Sequence, residues 1–337
     1  MAQIVQPRHK LFKYLDRLYP FQVAELTLSP HYWPVAENSL RKETQNGAEA
    51  LTVAAVARRL GVAPATLRTW DRRYGLGPSA HESGKHRRYC PADLARLTLM
   101  RRLITSGVSP ADAAEQAKNH KGTMNVERIV QDYVVREELV GALHKAAKAL
   151  DKKFIEAALR KDLAKYGVEQ SWSEAIVPLL LLVGNEWEAS GEGIEIEHLL
   201  TEVLKGLLRE QVEEIRKPVN ANPVLLASVG EELHSLALHA LAAALAERKI
   251  ETYFLGSRTP LEALSAMITR SAPPAIFLWA QLSKNADPKY FNDIPAIRPM
   301  PRVVLGGPGW NHEQCKDVAV AQDLSQAVAE IERAVGL

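Results

Sequence analysis

Two short constellations in the second half of the chain bring together residue types that bind ligands. The first is Gly230-Glu231-Glu232-Leu233-His234-Ser235-Leu236-Ala237, directly after the apolar run from Val224 to Val229. A histidine in a loop that leaves a strand and feeds a helix is placed to meet a ligand. Glu232, two residues earlier, can hold the other ring nitrogen. Such a carboxylate fixes the imidazole tautomer and raises its basicity toward a metal. The second constellation is Trp187, nine intervening residues, then Glu197-His198. An indole lid beside a polar pair suits a flat ligand with a polar edge. In isolation each has a plainer reading. The first is also a helix start with acidic capping residues and an incidental histidine. The second is also a core tryptophan near a polar helix start.

A third group of residues is set for a polyanion. Between Leu51 and Leu103 lie eleven Lys and Arg against three Asp and Glu, in a chain whose net charge is only +2. Local excess of this kind is the electrostatic footprint of a nucleic-acid partner. The elements that must carry it follow from spacing. Leu51, Val53, Val56, Ala57 and Leu60 recur with a helical period, Thr52 can cap the start and Gly61 can stop it. Pro64 suits the first turn of a second helix bearing Arg68, Arg72 and Arg73. Two short helices about a glycine turn make a helix-turn-helix, whose second helix reaches base edges in the major groove.

The rest of the chain divides by period. With 337 residues and 47% hydrophobic content, several domains are expected. Residues 1–50, interrupted by Pro20, Pro30 and Pro34, read as a partly disordered extension; 51–119 form the DNA-binding head. Residues 126–216 are helical throughout, enough for about four helices in a bundle. From 222 to 337 short apolar runs (Val224–Val229, Ile250–Leu255, Ala275–Trp279, Val303–Leu305, Val318–Val320) alternate with helical stretches. That alternation predicts a parallel sheet wound on both faces. The fold class is therefore multidomain α and α/β: winged helix-turn-helix, four-helix bundle and doubly wound, Rossmann-like sheet. Cys90 and Cys315 stand alone, outside any metal-ligand spacing, and read as reduced thiols of a cytosolic protein. No run of eighteen apolar residues and no secretory leader is present, so no membrane role is expected.

The head resembles the MerR family of winged-helix regulators. The resemblance is carried by Ala57-Arg58-Arg59, Gly61-Val62, the run Thr66-Leu67-Arg68-Thr69-Trp70-Asp71-Arg72-Arg73-Tyr74-Gly75-Leu76, His86-Arg87-Arg88-Tyr89 and Asp93-Leu94-Ala95-Arg96-Leu97. It implies a double-stranded DNA operator met by Arg68, Arg72 and Arg73 from the recognition helix. Lys85, His86, Arg87 and Arg88 would meet the backbone from the wing. Trp70 and Tyr89 would pack. Heads of this type act in pairs, so a homo-oligomer, dimer or tetramer, is implied.

With the Trp187 and Glu197-His198 group, the histidine turn and Gly306-Gly307 behind such a head, residues 51–337 are similar to the CarH/LitR family. That resemblance implies a non-enzymatic, light-responsive repressor binding adenosylcobalamin between bundle and sheet domain. His234 would be the lower cobalt ligand and Glu232 its support. Trp187, Glu197 and His198 would cap the adenosyl group, and Gly306 and Gly307 would admit the displaced nucleotide tail. Three positions depart from the family pattern: Ala237 replaces a glycine, Trp279 stands where a small hydroxyl residue is usual, and Glu188 replaces a second histidine that some members carry. A second reading keeps the DNA role without cobalamin, Trp279 filling the tail pocket and another tetrapyrrole or a partner regulating the protein. A corrinoid methyl-transfer module is the least favoured, since nothing in the chain supplies a substrate barrel.

Overall fold

The computed structural model describes residues 51–79, 87–119, 135–213, 215, 217–311, 315 and 318–337. The expected extension, residues 1–50, lies outside the described residues, as do Lys85 and His86. The chain forms two compact units. One takes in the described parts of 20–131 together with Lys145–Ala157; the other takes in the described parts of 132–144 together with Ala158–Leu337.

In the first unit, β1 (Leu51–Thr52) pairs antiparallel with β2 (Arg88–Tyr89), ahead of α1 (Val53–Leu60) and α2 (Pro64–Tyr74). Leu51, counted in the helical pattern, is extended and pairs with Tyr89. The Thr52 hydroxyl accepts from the Ala55 N–H at 3.2 Å, capping α1. Gly61 ends α1 in the left-handed region at φ +62°, and a Cβ there would lie 2.9 Å from that of Ala149. Two further helices, α3 (Pro91–Thr105) and α4 (Pro110–Asn119), complete a core of Val56, Leu60, Leu67, Trp70, Tyr89, Leu97 and Met100. Trp70 and Tyr89 are thus packing residues. Buried Asp93 accepts from the N–H groups of Ser79 at 3.2 Å and Cys90 at 3.0 Å, tying the chain on both sides of residues 80–86 to α3.

The helical region contains α5 (Arg136–Lys148), α6 (Lys152–Ser171), a π-helical turn (Trp172–Ile176), α7 (Val177–Ser190) and α8 (Ile194–Glu213). These are four α-helices among the described residues, the number expected. The apolar stripe of α8, including Leu200, Leu204 and Leu207, is buried, and α8 lies against α9 (Leu236–Glu247) of the sheet domain.

The sheet domain alternates β3 (Val224–Val229), α9, β4 (Thr252–Thr259), α10 (Leu261–Ser271), β5 (Ala275–Trp279), α11 (Lys289–Asn292), β6 (Arg302–Gly306), β7 (Ala319–Ala321) and α12 (Leu324–Val335). The five strands are parallel, in the order β4-β3-β5-β6-β7. All six residues of β3 are buried, which is why its sequence is continuously apolar rather than alternating. Leu225, Ala227, Ile276, Leu278 and Leu305 share one core with Leu264 and Ile268 of α10. The strand expected to end at Gly256 continues to Thr259. Gly256 adopts φ +85°, and the pairing with β3 shifts register there, so the glycine marks a bulge rather than a stop. Among the described residues, no helix is long and apolar enough to cross a membrane.

Polar clamps join the helical region to the sheet domain. Arg248 donates to Glu169 of α6 and, within the sheet domain, to Glu332 at 2.8 Å. Gly167 breaks the regularity of α6 at φ +76°, and the next N–H, of Val168, donates to Glu247 at 2.9 Å. His239 of α9 stacks on Phe254, with ring centroids 4.3 Å apart. Burial, then the positive charges of Arg209 and Lys205, push its pKa down to about 4, with Glu202 opposing. The unfolded chain protonates this ring near 6.5. Between these values the unfolded state binds more protons, so the contribution is fully present above pH 6.5 and is lost as pH falls toward 4. The urea midpoint of this unit should fall across that window. His239→Phe should flatten the fall; an unchanged pH profile would assign it to other groups.

Candidate functional site

The sheet order places its topological switch between β3 and β5, where connections leave in opposite directions and open a crevice at the carboxyl ends of the strands. The β3 loop delivers Glu232 and His234 to this point. Glu232 is fully buried. Its Oε1 meets the His234 ring at Nδ1 and accepts the His234 backbone N–H at 3.0 Å. Its Oε2 accepts from the N–H of Gln281 at 2.9 Å, the N–H of Leu282 at 3.0 Å and the Asn285 side chain at 3.0 Å. Burial alone would raise this carboxyl's pKa; the hydrogen bonds from His234, Asn285 and the backbone outweigh it and bring it down to about 2. The side chain is therefore a fixed carboxylate that stitches the loop after β3 to the loop after β5. Its hold on Nδ1 leaves Nε2 as the ring nitrogen that could ligate a metal. The Ser228 hydroxyl donates to the His234 carbonyl at 3.0 Å and holds the same turn from the strand side.

The other candidate positions are distributed as follows. Trp187 lies half-buried in the last turn of α7, and Glu197 and His198 lie in the first turns of α8. Glu197 accepts from Thr201 at 3.2 Å and approaches His198 Nδ1 at 3.3 Å. His198 Nδ1 lies 2.8 Å from the Ile194 carbonyl, and the side chain is otherwise exposed. Gly306 ends β6 and pairs with Trp279. A Cβ at Gly306 would stand 2.2 Å from Cζ of Phe277, and one at Gly307 would stand 2.2 Å from the Ala280 carbonyl oxygen. The clearance of both glycines is thus taken up by β5 and its loop. Trp279 is 6% exposed, and its indole N–H is buried with no acceptor among the described residues. The donor set at His234 fits a metal that brings its own macrocycle. The space beside Gly306 and Gly307, as packed, does not fit a nucleotide tail.

The head displays Arg68, Arg72 and Arg73 exposed on α2, while Leu67 and Trp70 face the core. Arg88 is exposed on β2; Arg87 is half-buried, its Nε donating to Asp71 of α2 at 3.1 Å. The basic excess is smaller than the residue count implies. Arg101 and Arg102 are paired with Asp151, an acid outside the counted stretch whose place beside them the sequence does not reveal. Sequence reasoning also missed Gln281, Leu282 and Asn285, some fifty residues from Glu232, because backbone donors and a loop asparagine carry no motif. The apolar run of β5, ending at the same switch point, is the one signal that could have placed them.

A helix-turn-helix head is followed by a helical region and by a doubly wound sheet with a histidine turn at its switch point. Residues 51–119 match the MerR HTH family regulatory protein family. The chain also resembles two known repressors. It is 26% identical to the HTH-type transcriptional repressor CarH of Myxococcus xanthus over 67% of this chain and 77% of that protein. It is 27% identical to the HTH-type transcriptional repressor CarA of the same organism over 77% of this chain and 87% of that protein. Among solved structures, the monomethylamine corrinoid protein of Methanosarcina barkeri is 12% identical, with a TM-score of 0.45, over 59% of this chain and 99% of its own. That likeness is too low to bear on function.

Proposed function

We propose that this chain is a light-responsive transcriptional repressor. Its head holds operator DNA, its sheet domain binds a cobalamin-class ligand through His234, in the adenosyl form, and the state of that ligand controls how many chains assemble. The two repressors it resembles support the regulatory role. The observation that carries the ligand role is the buried Glu232 carboxylate holding His234 Nδ1 at the switch point. When bound, the cofactor would supply a cobalt that accepts an imidazole nitrogen and a bond that light can cleave. The chain's own residues do the rest. Glu232 fixes the tautomer and keeps Nε2 directed to the ligand. A ligand that favours one assembly over another then shifts the population by that difference in affinity.

The test is absorbance and size together. Protein given adenosylcobalamin in darkness should retain a corrinoid spectrum through gel filtration, and His234→Ala should lose it. Green light should change the elution volume and the operator affinity of the loaded protein. Colourless protein with one elution volume in dark and light would overturn the reading.

On the DNA side, Arg68 and Arg72 stand one helical turn apart on the exposed side of α2 and are the stronger phosphate candidates. Arg87 must give up Asp71 to serve. Arg72→Ala should weaken binding to all sequences and reduce the slope of log K against log salt by about 0.9 for each phosphate that the arginine neutralises. An unchanged slope would remove this arginine from the DNA backbone. Arg87→Ala should have the smaller effect.

A further inference from the structure

We infer that Trp279 selects the ligand: it closes the slot beside β5 to any pendant group, so the crevice takes a metal-bearing macrocycle whose nucleotide tail does not lodge against the sheet. The inference rests on the reading of His234 as the metal ligand and narrows the chemical class that this residue serves.

Ser228, Trp279 and Gly306 are register partners on three adjacent parallel strands, so they project from one face of the sheet. That face is opposite to the one packed by α10. Gly306 and the left-handed Gly307, at φ +99°, create clearance at the strand ends. A ligand tail could use it only if the neighbouring strand left it open. It is not open: the Phe277 ring fills the space above Gly306, and the Ala280 carbonyl fills that beside Gly307. Trp279, one residue pair further along the same face, buries nearly its whole indole at the strand end.

The two buried indoles of this domain differ in their partners. Trp310 donates its N–H to the carbonyls of Leu278 at 3.2 Å and Gly306 at 3.1 Å. Trp279 has no acceptor among the described residues, although the atom is fully enclosed. Trp279 fills the strand end beside Gly306 by its volume, and that is where a pendant group would enter. A ligand held by His234 therefore meets a closed floor. A corrinoid with a short side chain can sit on it, and one with a phosphate, ribose and base can lodge that tail against the sheet only by expelling the indole.

The test compares adenosylcobalamin with adenosylcobinamide, the same corrinoid without the nucleotide tail, by titration in darkness and absorbance of the retained ligand. Wild-type protein should bind the tail-less form at least as tightly as the full cofactor. Trp279→Gly should tighten adenosylcobalamin tenfold or more and leave adenosylcobinamide within about threefold. Trp279→Phe keeps the plug and removes the orphaned N–H; it should keep the wild-type preference and raise the thermal midpoint, which also guards against a variant that merely fails to fold. Wild type holding adenosylcobalamin tenfold tighter than adenosylcobinamide, or Trp279→Gly weakening it, would overturn the inference while leaving the His234 reading intact. Failure of the wild type and both variants to retain either corrinoid would overturn the His234 reading, and the inference with it.

Discussion

Replacing Asp151 by alanine should cost the first unit about 3–5 kcal/mol, the range for removing one partner of a buried ion pair. Asp151 is buried in the turn between α5 and α6. Arg102 grips it in a fork, Nε to Oδ2 at 2.8 Å and Nη2 to Oδ1 at 2.9 Å, and Arg101 donates to it from the other side. It also accepts from the Phe154 N–H at 3.3 Å at the start of α6. Burial works against its charge, but the Arg102 hydrogen bonds and both guanidinium charges prevail and hold its pKa below the usual range. Its stabilising effect is thus present above the ordinary carboxylate pKa near 4 and is lost as pH falls below it. Without Asp151, Arg101 is left buried and unpaired, its own pKa already lowered by burial. A urea titration followed through the amides of α3 would read the loss locally. Asp151→Asn should cost less, since an amide oxygen can still accept from one arginine. Replacing Arg101 by methionine and Asp151 by leucine together should restore part of the stability, because no buried charge then lacks a partner. A change below about 1 kcal/mol for Asp151→Ala would mean that water reaches the cluster freely.

That cluster also marks the limit of what the sequence discloses. Where a feature depends on neighbours along the chain, it was legible: Thr52 as cap, Gly61 as stop and Pro64 as helix start. The central strands β3 and β5 were legible as apolar runs because every residue in them is buried. The pairing of Glu232 with His234 was legible from a spacing of two residues in a loop. Features that depend on distant partners were not. Asp151 meets arginines some fifty residues earlier, and nothing in either segment announces the other. Leu51–Thr52 pairs with Arg88–Tyr89 over only two residues, too short for an alternating pattern. The run past Gly256 was missed because a glycine inside a strand and one that ends it look alike until the register is known. At Gly306 and Gly307 the residue type disclosed a close approach but not its cause, which is the Phe277 ring and the Ala280 carbonyl.

Glu232→Gln should leave the sheet domain folded and yet disable His234, a combination that separates orientation from stability. The carboxylate accepts from five donors, two on His234 through Oε1 and three on the β5 loop through Oε2. A glutamine has one carbonyl oxygen to offer. Placed toward the β5 loop, it keeps the N–H groups of Gln281 and Leu282 and the Asn285 amide satisfied. Its amino group then faces His234, where the backbone N–H loses its acceptor at a cost of about 1–3 kcal/mol. The same amino group can only donate to Nδ1. That forces the ring proton to Nε2, and a protonated Nε2 has no lone pair for a metal. Ring nitrogen shifts of His234 should therefore exchange between Nδ1 and Nε2 in the variant, and retention of a corrinoid should fall nearly as far as in His234→Ala. Glu232→Leu removes both oxygens, leaves all five donors unmatched and should cost several kcal/mol more, unfolding the loop as well. If Glu232→Gln keeps the wild-type tautomer and binds ligand unchanged, the carboxylate serves only to join the two loops. The histidine would then owe its orientation to the packing of the turn alone.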